Sequence, residues 1–279
     1  MRRLMITILL TARFCVTSPI SLSAEGNRDP VSFTVCSFNI QTFGPSKAEK
    51  PEVMAELAEI IRRHDIVCVQ EIRDASGTAV TALLDMVNTE GPGYGLLTGP
   101  REGRSSSKEQ YAFFYRTDRF ELLPDYCVYE GQDQFERPPF TAGFKLLETG
   151  FDFVLINVHI KPGDAEREIA ALPPVFAASE EYFRDSDIIC LGDFNADGDY
   201  FDEATLSLYF PQERYRIVIP DTADTTVAES DNTYDRIIIT DDLSGNYKGE
   251  YGIDLFTDAG VPDREISDHY PVWIRLFSE

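Results

Sequence analysis

The 279-residue sequence predicts a single α/β domain in which sheet packs on sheet and helices cover the outside. Three observations predict it. Apolar runs of strand length recur along the whole chain, two pairs of them lie close enough to form hairpins, and amphipathic helical stretches separate others as crossovers do. No repeat, low-complexity tract or linker divides the chain, and 43% hydrophobic residues suffice for one real core.

Taken in order, residues 1–24 stand apart. They carry Arg2, Arg3 and Arg13 but no acid, an apolar run over 4–10, and the small-residue ending Ser21-Leu22-Ser23-Ala24. These are the three regions of a secretory signal, so the expectation is a leader over 1–24, one domain over 25–279, and a secreted or periplasmic location. No later stretch approaches the roughly 20 apolar residues of a spanning helix, so no membrane association is expected.

Residues 33–38 read as a strand ending at Asn39. A helix follows over 52–63, with Val53, Leu57, Ile60 and Ile61 at helical spacing and Pro51 near its start. Residues 66–69 form the next strand, ending in Gln70 and Glu71, and 77–87 the second helix. The runs 111–115 and 120–128 read as antiparallel neighbours joined by a turn at Thr117-Asp118, and 140–147 with 151–158 as another such pair. Residues 164–184 are helical but must kink or split at Pro173-Pro174. Strands at 188–191, 237–239 and 272–276 complete the set, and 91–107, 130–139 and 221–233 are long loops.

A net charge of −23 excludes indiscriminate binding to polyanions; any nucleic-acid contact must rest on a few local cations or a metal. Beyond the leader the cysteines are Cys36, Cys68, Cys127 and Cys190, with no Cys-x-x-Cys pair. That excludes a zinc ribbon and disfavours a disulfide framework.

The chemistry gathers at strand ends. One strand ends in Asn39, one in Gln70-Glu71, one in His159 with Asn157 just before it, and one in Asp193 and Asn195 after the turn residue Gly192. A single polar strand end is a turn. Four of them describe a site, because α/β sheets collect their sites at the carboxyl ends of strands. Of the three histidines, His64 follows a helix and suits its C-terminal dipole. His159 and His269 lie beside acid-rich strand ends and suit a general acid and a general base. Each needs a carboxylate to orient it, and Glu109 and Asp235 flank strands where they could serve. Glu71, Asn39 and Asp268 are hard oxygen donors, suited to magnesium, manganese or calcium rather than zinc. The sequence has no serine elbow, Gly-rich phosphate loop or dinucleotide fingerprint. Two histidines, several carboxylates and a hard metal most naturally activate water against a phosphoester.

Seven short motifs in this order carry a resemblance. They are Ser37-Phe-Asn-Ile-Gln-Thr-Phe-Gly44, Val69-Gln-Glu-Ile-Arg-Asp74, Lys108-Glu-Gln-Tyr111, Asn157-Val-His159, Gly192-Asp-Phe-Asn-Ala-Asp197, Thr233-Tyr-Asp-Arg236 and Ser267-Asp-His-Tyr-Pro271. Over residues 31–276 the chain resembles the endonuclease/exonuclease/phosphatase superfamily, and within it the secreted deoxyribonuclease I group. The stretch Ile219-Pro-Asp-Thr-Ala-Asp-Thr-Thr226 looks like that group rather than the superfamily at large. The resemblance implies a four-layer αββα sandwich and an exported, divalent-metal-dependent endonuclease acting on DNA with magnesium or manganese. By position it implies that Glu71, Asn39 and Asp268 hold the metal, and that His159 pairs with Glu109 and His269 with Asp235. His269 is then expected to take the proton of the attacking water and His159 to protonate the leaving 3′ oxygen. Asp193 and Asn195 would position water and phosphate, and Arg73, Arg137 and Tyr234 would contact DNA.

Departures from the pattern qualify the substrate. Gln41 stands where that group has a phosphate-contacting arginine, and Ser107 where it has a tyrosine against a sugar, so duplex binding should be weaker. Gly198 and Asn232 replace its stabilising disulfide, and residues 129–138 replace a small disulfide loop. Asp224 and Thr226 keep part of a structural calcium site, which Ala228 interrupts. The alternatives are a sphingomyelinase-like or phosphoinositide phosphatase-like hydrolase and, least favoured, a non-catalytic binding protein. A monomer is expected; actin binding is not assumed.

Overall fold

The computed structural model describes residues 29–131, 133–256 and 260–279; the expected leader lies outside them. In chain order the strands are β1 (Val31–Phe43), β2 (Ile66–Ile72), β3 (Tyr94–Thr98), β4 (Gln110–Arg116), β5 (Phe120–Val128) and β6 (Phe140–Leu146). Then come β7 (Asp152–His159), β8 (Ile188–Asp193), β9 (Tyr215–Ile217), β10 (Asp235–Thr240), β11 (Tyr247–Ile253) and β12 (Val272–Ser278). The helices are α1 (Pro45–Ala48), α2 (Pro51–Arg62), α3 (Thr78–Val87), α4 (Ala165–Ala170), α5 (Leu172–Phe183), α6 (Leu206–Tyr209) and α7 (Asp263–Ile266). Two six-stranded sheets result, ordered β11-β12-β1-β2-β4-β3 and β5-β6-β7-β8-β10-β9.

Side-chain alternation decides the layers. Phe33 and Val35 of β1, Ile66 and Cys68 of β2, Leu155 of β7 and Ile189 and Leu191 of β8 all pack between the sheets. Their neighbours along each strand face outward. Cys36, Phe38, Val67 and Val69 meet α2 and α3, while Val154, Ile156, Ile188 and Cys190 meet α4 and α5. The four-layer αββα sandwich follows. Pro173 and Pro174 fall in the first turn of α5, where missing N–H groups cost nothing, so the helical run divides at Ala171.

The parallel pairs β1–β2 and β7–β8 end on the same side of the sandwich. Continuing the inward alternation toward that end replaces apolar residues with Ser37 and Asn39, Gln70, Asn157 and His159, and Asp193. Antiparallel β10 enters there with Asp235 opposite Asp193. Polar strand ends are thus the inter-sheet layer carried to its rim.

One expected hairpin does not exist. β4 and β5 are not paired: β4 lies between β2 and β3 in one sheet, and β5 is the edge strand of the other. The Thr117-Asp118 turn carries the chain between sheets, pinned where Arg116 and Arg119 both reach the buried Asp65, at 3.3 and 2.8 Å. The partners of β4 are β2 and β3, and β3 lies within the stretch expected to be loop. His64 is also reassigned. It lies beyond α2, is buried, and its Nε2 bonds Asp254 at 3.0 Å, so its partner is a side chain rather than the helix end. Cys36, Cys68, Cys127 and Cys190 are free thiols. Among the described residues no helix is long and apolar enough to cross a membrane.

At the opposite end of β8, burial raises the Asp187 carboxyl to about 6, helped by repulsion from Asp185, Asp242 and Asp152. A carboxyl raised by folding favours the folded state while protonated, and this contribution is lost as pH climbs from about 4 to 6. Asp187→Asn should remove that loss. After discounting for partial exposure the gain is about 1 kcal/mol, or roughly 2–4 °C in Tm at pH 7.5, with none at pH 4. Thermal melts at the two pH values check it; an equal change at both would contradict the electrostatic cause.

Candidate active site

Two histidine–carboxylate pairs face each other at the rim. Glu109 Oε2 lies 2.8 Å from His159 Nδ1, and Asp235 Oδ2 lies 2.8 Å from His269 Nδ1. Each carboxylate fixes the orientation of its ring, leaving Nε2 turned to the other side. Both Nε2 atoms converge on one oxygen, Asp193 Oδ2, at 3.5 Å from His159 and 3.6 Å from His269. Asn39 Nδ2 donates to the same oxygen at 3.0 Å across the two sheets. The other Asp193 oxygen accepts the Asn195 backbone N–H at 3.0 Å.

The two pairs differ electrically. Burial works against the charge of Glu109, but the bond from His159 and the guanidinium groups of Arg137 and Arg73 bring its carboxyl down to about 2. Asp235 is fully buried and has no arginine, so desolvation raises its pKa against the pull of His269. For His269 burial opposes the cation, yet Asp235 and then Asp193 outweigh it and push the imidazole up to about 10. One proton is therefore held firmly within the His269–Asp235 pair.

Glu71 stands beside this gap. Asn39 Nδ2 donates to its Oε1 at 3.2 Å, Thr42 N–H donates to its Oε2 at 2.8 Å, and Arg73 Nη2 reaches Oε2 at 3.1 Å. Arg73 also bonds Glu109 Oε1 at 2.9 Å and so joins the two acids. Arg137 Nε donates to the His159 carbonyl at 3.1 Å. Arg73 Nε and Arg137 Nη2 are buried donors with no partner.

Backbone strain concentrates here. Among the described residues five non-glycines have positive φ, and four belong to the site's strand ends: Gln41 at 41°, Thr42 at 49°, Glu71 at 63° and Asn195 at 46°. Such conformations persist only where neighbours over-determine them. The Gln41–Thr42 turn prolongs β1 past Asn39, and Lys47 Nζ holds it by bonding the Ile40 and Gln41 carbonyls at 2.8 and 3.1 Å. Burial lowers the Lys47 pKa to about 8. Ser267 Oγ donates to the Asn39 carbonyl at 2.6 Å. No sequence pattern marks Lys47; Ser267 was visible only as a neighbour of Asp268 and His269.

The remaining predicted positions divide. Asp268 is half-exposed, its Oδ1 3.9 Å from His269 Nε2. The Tyr234 ring lies 6.2 Å from that of His269. Asn195 donates its side-chain amide to the Ile160 carbonyl at 2.9 Å, so its NH₂ braces the loop after β7. Asp224 Oδ1 accepts from Thr226 N–H, Thr226 Oγ1 and Asn232 N–H, at 3.1, 3.1 and 3.3 Å. An oxygen filled by three donors serves as a turn's acceptor, and Asp224 with Thr226 supplies side-chain oxygens for only part of the six to eight that calcium takes. The Gly198–Asn232 contact survives without sulfur: Asn232 Oδ1 would lie 2.8 Å from a Cβ on Gly198.

Asp193, Asp235 and His269 bring ligand-type atoms within 4.8 Å of one another. His269 Nδ1 and Asp235 Oδ2 are already bonded to each other. The Glu71 carboxylate, with the Asn39 amide bonded to its Oε1, has the hard oxygen chemistry that fits a divalent cation.

Residues 36–269 match the Endonuclease/Exonuclease/phosphatase family. Human deoxyribonuclease-1 is 34% identical over 267 residues, covering 88% of this chain and 93% of that protein. Human deoxyribonuclease-1-like 1 is 34% identical over 255 residues, covering 88% and 84% respectively. Among solved structures, an endonuclease/exonuclease/phosphatase family protein from Bacteroides thetaiotaomicron superposes with a TM-score of 0.68 at 20% identity, covering 90% of this chain and all of that one. A mannosyl-6-phosphatase from the same organism gives 0.61 at 19%, covering 88% and 99%; both share the fold. From the paired imidazoles at the sheet ends and from these matches, the chain belongs to the endonuclease/exonuclease/phosphatase family, as a hydrolase similar to deoxyribonuclease I.

Proposed function

We propose that the protein is an exported endonuclease that hydrolyses DNA phosphodiester bonds with little sequence preference and requires magnesium or manganese. The observation that carries it is the convergence of His159 and His269, each backed by a buried carboxylate, on the single oxygen of Asp193. Acid and base must act from opposite sides of a phosphate in an in-line displacement, and two imidazoles facing across one gap meet that need. The leader sequence supports export, and the similarity to deoxyribonuclease-1 supports DNA as substrate. The protein acts as a monomer and away from membranes.

His269 takes the proton of the attacking water, Asp235 balancing the charge that results, and His159 gives a proton to the leaving 3′ oxygen with Glu109 in the same supporting role. Asp193 and Asn195 shape the space for water and phosphate. Arg73 and Arg137 supply positive charge for the phosphate, and Tyr234 lies against the substrate beyond His269. Glu71, Asn39 and Asp268 would hold the divalent cation, which would supply electrostatic stabilisation of the charge that develops in the reaction. A cation bound there would disfavour a second positive charge nearby and so would oppose the charge of His269. These local cations reconcile a polyanionic substrate with a chain of net charge −23.

A related phosphohydrolase acting on another phosphoester is the alternative, favoured by Gln41 and Ser107, the uncharged residues at two expected DNA contacts. Plasmid nicking with magnesium or manganese, with and without calcium, tests the assignment. Nicking is expected with either metal, is unchanged by calcium, and ceases on chelation. Inert plasmid together with phosphate or phosphocholine release from lipid substrates would transfer the assignment to the alternative.

A further inference from the structure

We propose that Ser37, Gln70 and Asn157 are positioning residues that clamp the two sheets in register directly beneath the reacting groups; this rests on the hydrolase assignment above. The site is divided between sheets. Asn39 and Glu71 belong to β1 and β2, whereas His159, Asp193 and Asp235 belong to β7, β8 and β10. Ladder hydrogen bonds fix positions within each sheet, but apolar packing between them is non-directional and tolerates sliding.

A directional contact lies one step down the strands. Asn157 Nδ2 donates across the gap to the Val69 and Ala112 carbonyls at 3.3 and 3.2 Å. Those two acceptors fix the orientation of the amide and leave Asn157 Oδ1 to accept from Gln70 Nε2 at 2.7 Å. Gln70 is itself held by the Cys68 carbonyl at 3.2 Å and by Ser37 Oγ at 3.1 Å. All three side chains are completely buried. Ser37 and Asn157 precede Asn39 and His159 by two residues, on the same strand face, and Gln70 immediately precedes Glu71. Three amide or hydroxyl groups in an apolar layer add little stability that matched apolar side chains would not. What they add is a fixed offset between the sheets, which the reaction needs because a displacement of about 1 Å can cost on the order of 100-fold in rate.

Gln70→Leu, Asn157→Leu and the double variant separate positioning from stability. Each single change strands a buried amide and should lower Tm by about 3–10 °C. The double variant, with both partners apolar, should recover most of that loss while kcat on plasmid stays down by about tenfold or more and KM moves by less than about twofold. A double variant with wild-type kcat overturns the clamp alone, whereas a wild-type protein that hydrolyses no phosphoester overturns both the clamp and the assignment beneath it. Should the double variant fail to fold, Ser37→Ala decides: a kcat lowered about threefold or more at unchanged KM supports the clamp, and wild-type kcat removes it.

Discussion

Replacing His159 or His269 by alanine is expected to lower DNA nicking by about 10²–10⁴-fold, the usual worth of a general acid or base. The two variants should differ in stability, because the carboxylates they leave behind differ. His159→Ala leaves Glu109 with Arg73 at 2.9 Å and Arg137 at 3.5 Å, so its charge keeps partners. His269→Ala leaves Asp235 fully buried with no cation bonded to it and one oxygen already without a hydrogen-bond partner. Breaking one side of a buried pair costs about 3–5 kcal/mol. The abandoned carboxyl, its pKa raised further, regains neutrality as pH falls, so the Tm deficit of His269→Ala should be large at pH 8 and shrink toward pH 5. His159→Ala should show a small deficit at both. Nicking assays on folded protein, with melts at two pH values, check both halves; wild-type rates in the two variants would sink the acid–base assignment.

Gly192→Ala should cost more than any surface change. Gly192 pairs with Val158 in the parallel β7–β8 ladder, and a Cβ built on it would lie 1.9 Å from the Val158 carbonyl oxygen. The collision is with backbone, which cannot rotate away, so the two strands must part. The next rung of that ladder is His159 opposite Asp193. Parting them widens the gap on which both imidazoles converge. The expected loss is about 3 kcal/mol or more, near 6–12 °C in Tm, with nicking reduced well below wild type even at temperatures where the variant is folded. Full activity in a folded Gly192→Ala protein would show that the β7–β8 spacing is not what sets the site.

The same strand ends explain what the sequence could and could not disclose. β1, β2, β7 and β8 are buried on both faces, so their apolar runs and the polar residues that interrupt them are legible without coordinates. β3, β9 and β11 lie at or next to the sheet edges. In β11, Tyr247-Lys-Gly-Glu-Tyr-Gly-Ile253 is mostly exposed and shows no alternation to detect. The β4–β5 misassignment has a similar cause. A two-residue turn between apolar runs signals a hairpin, whereas here Asp65, distant in sequence, pins the turn where the chain crosses into the other sheet. In the site, the residues that meet were visible as types at strand ends. The role of Asn195 as a brace for Ile160 and of Lys47 behind Gln41 depends on backbone carbonyls, which leave no trace in a residue pattern.

The pairing of β12 with β1, Val31 against Ser278, has a consequence for synthesis. Strands β5 to β10 form their sheet from one continuous stretch of chain, so that half can assemble while translation proceeds. The other sheet stays open along β1 until β12 emerges, and His269 arrives only with the segment leading into β12. A ribosome-bound chain therefore carries every other member of the site before it carries a complete one.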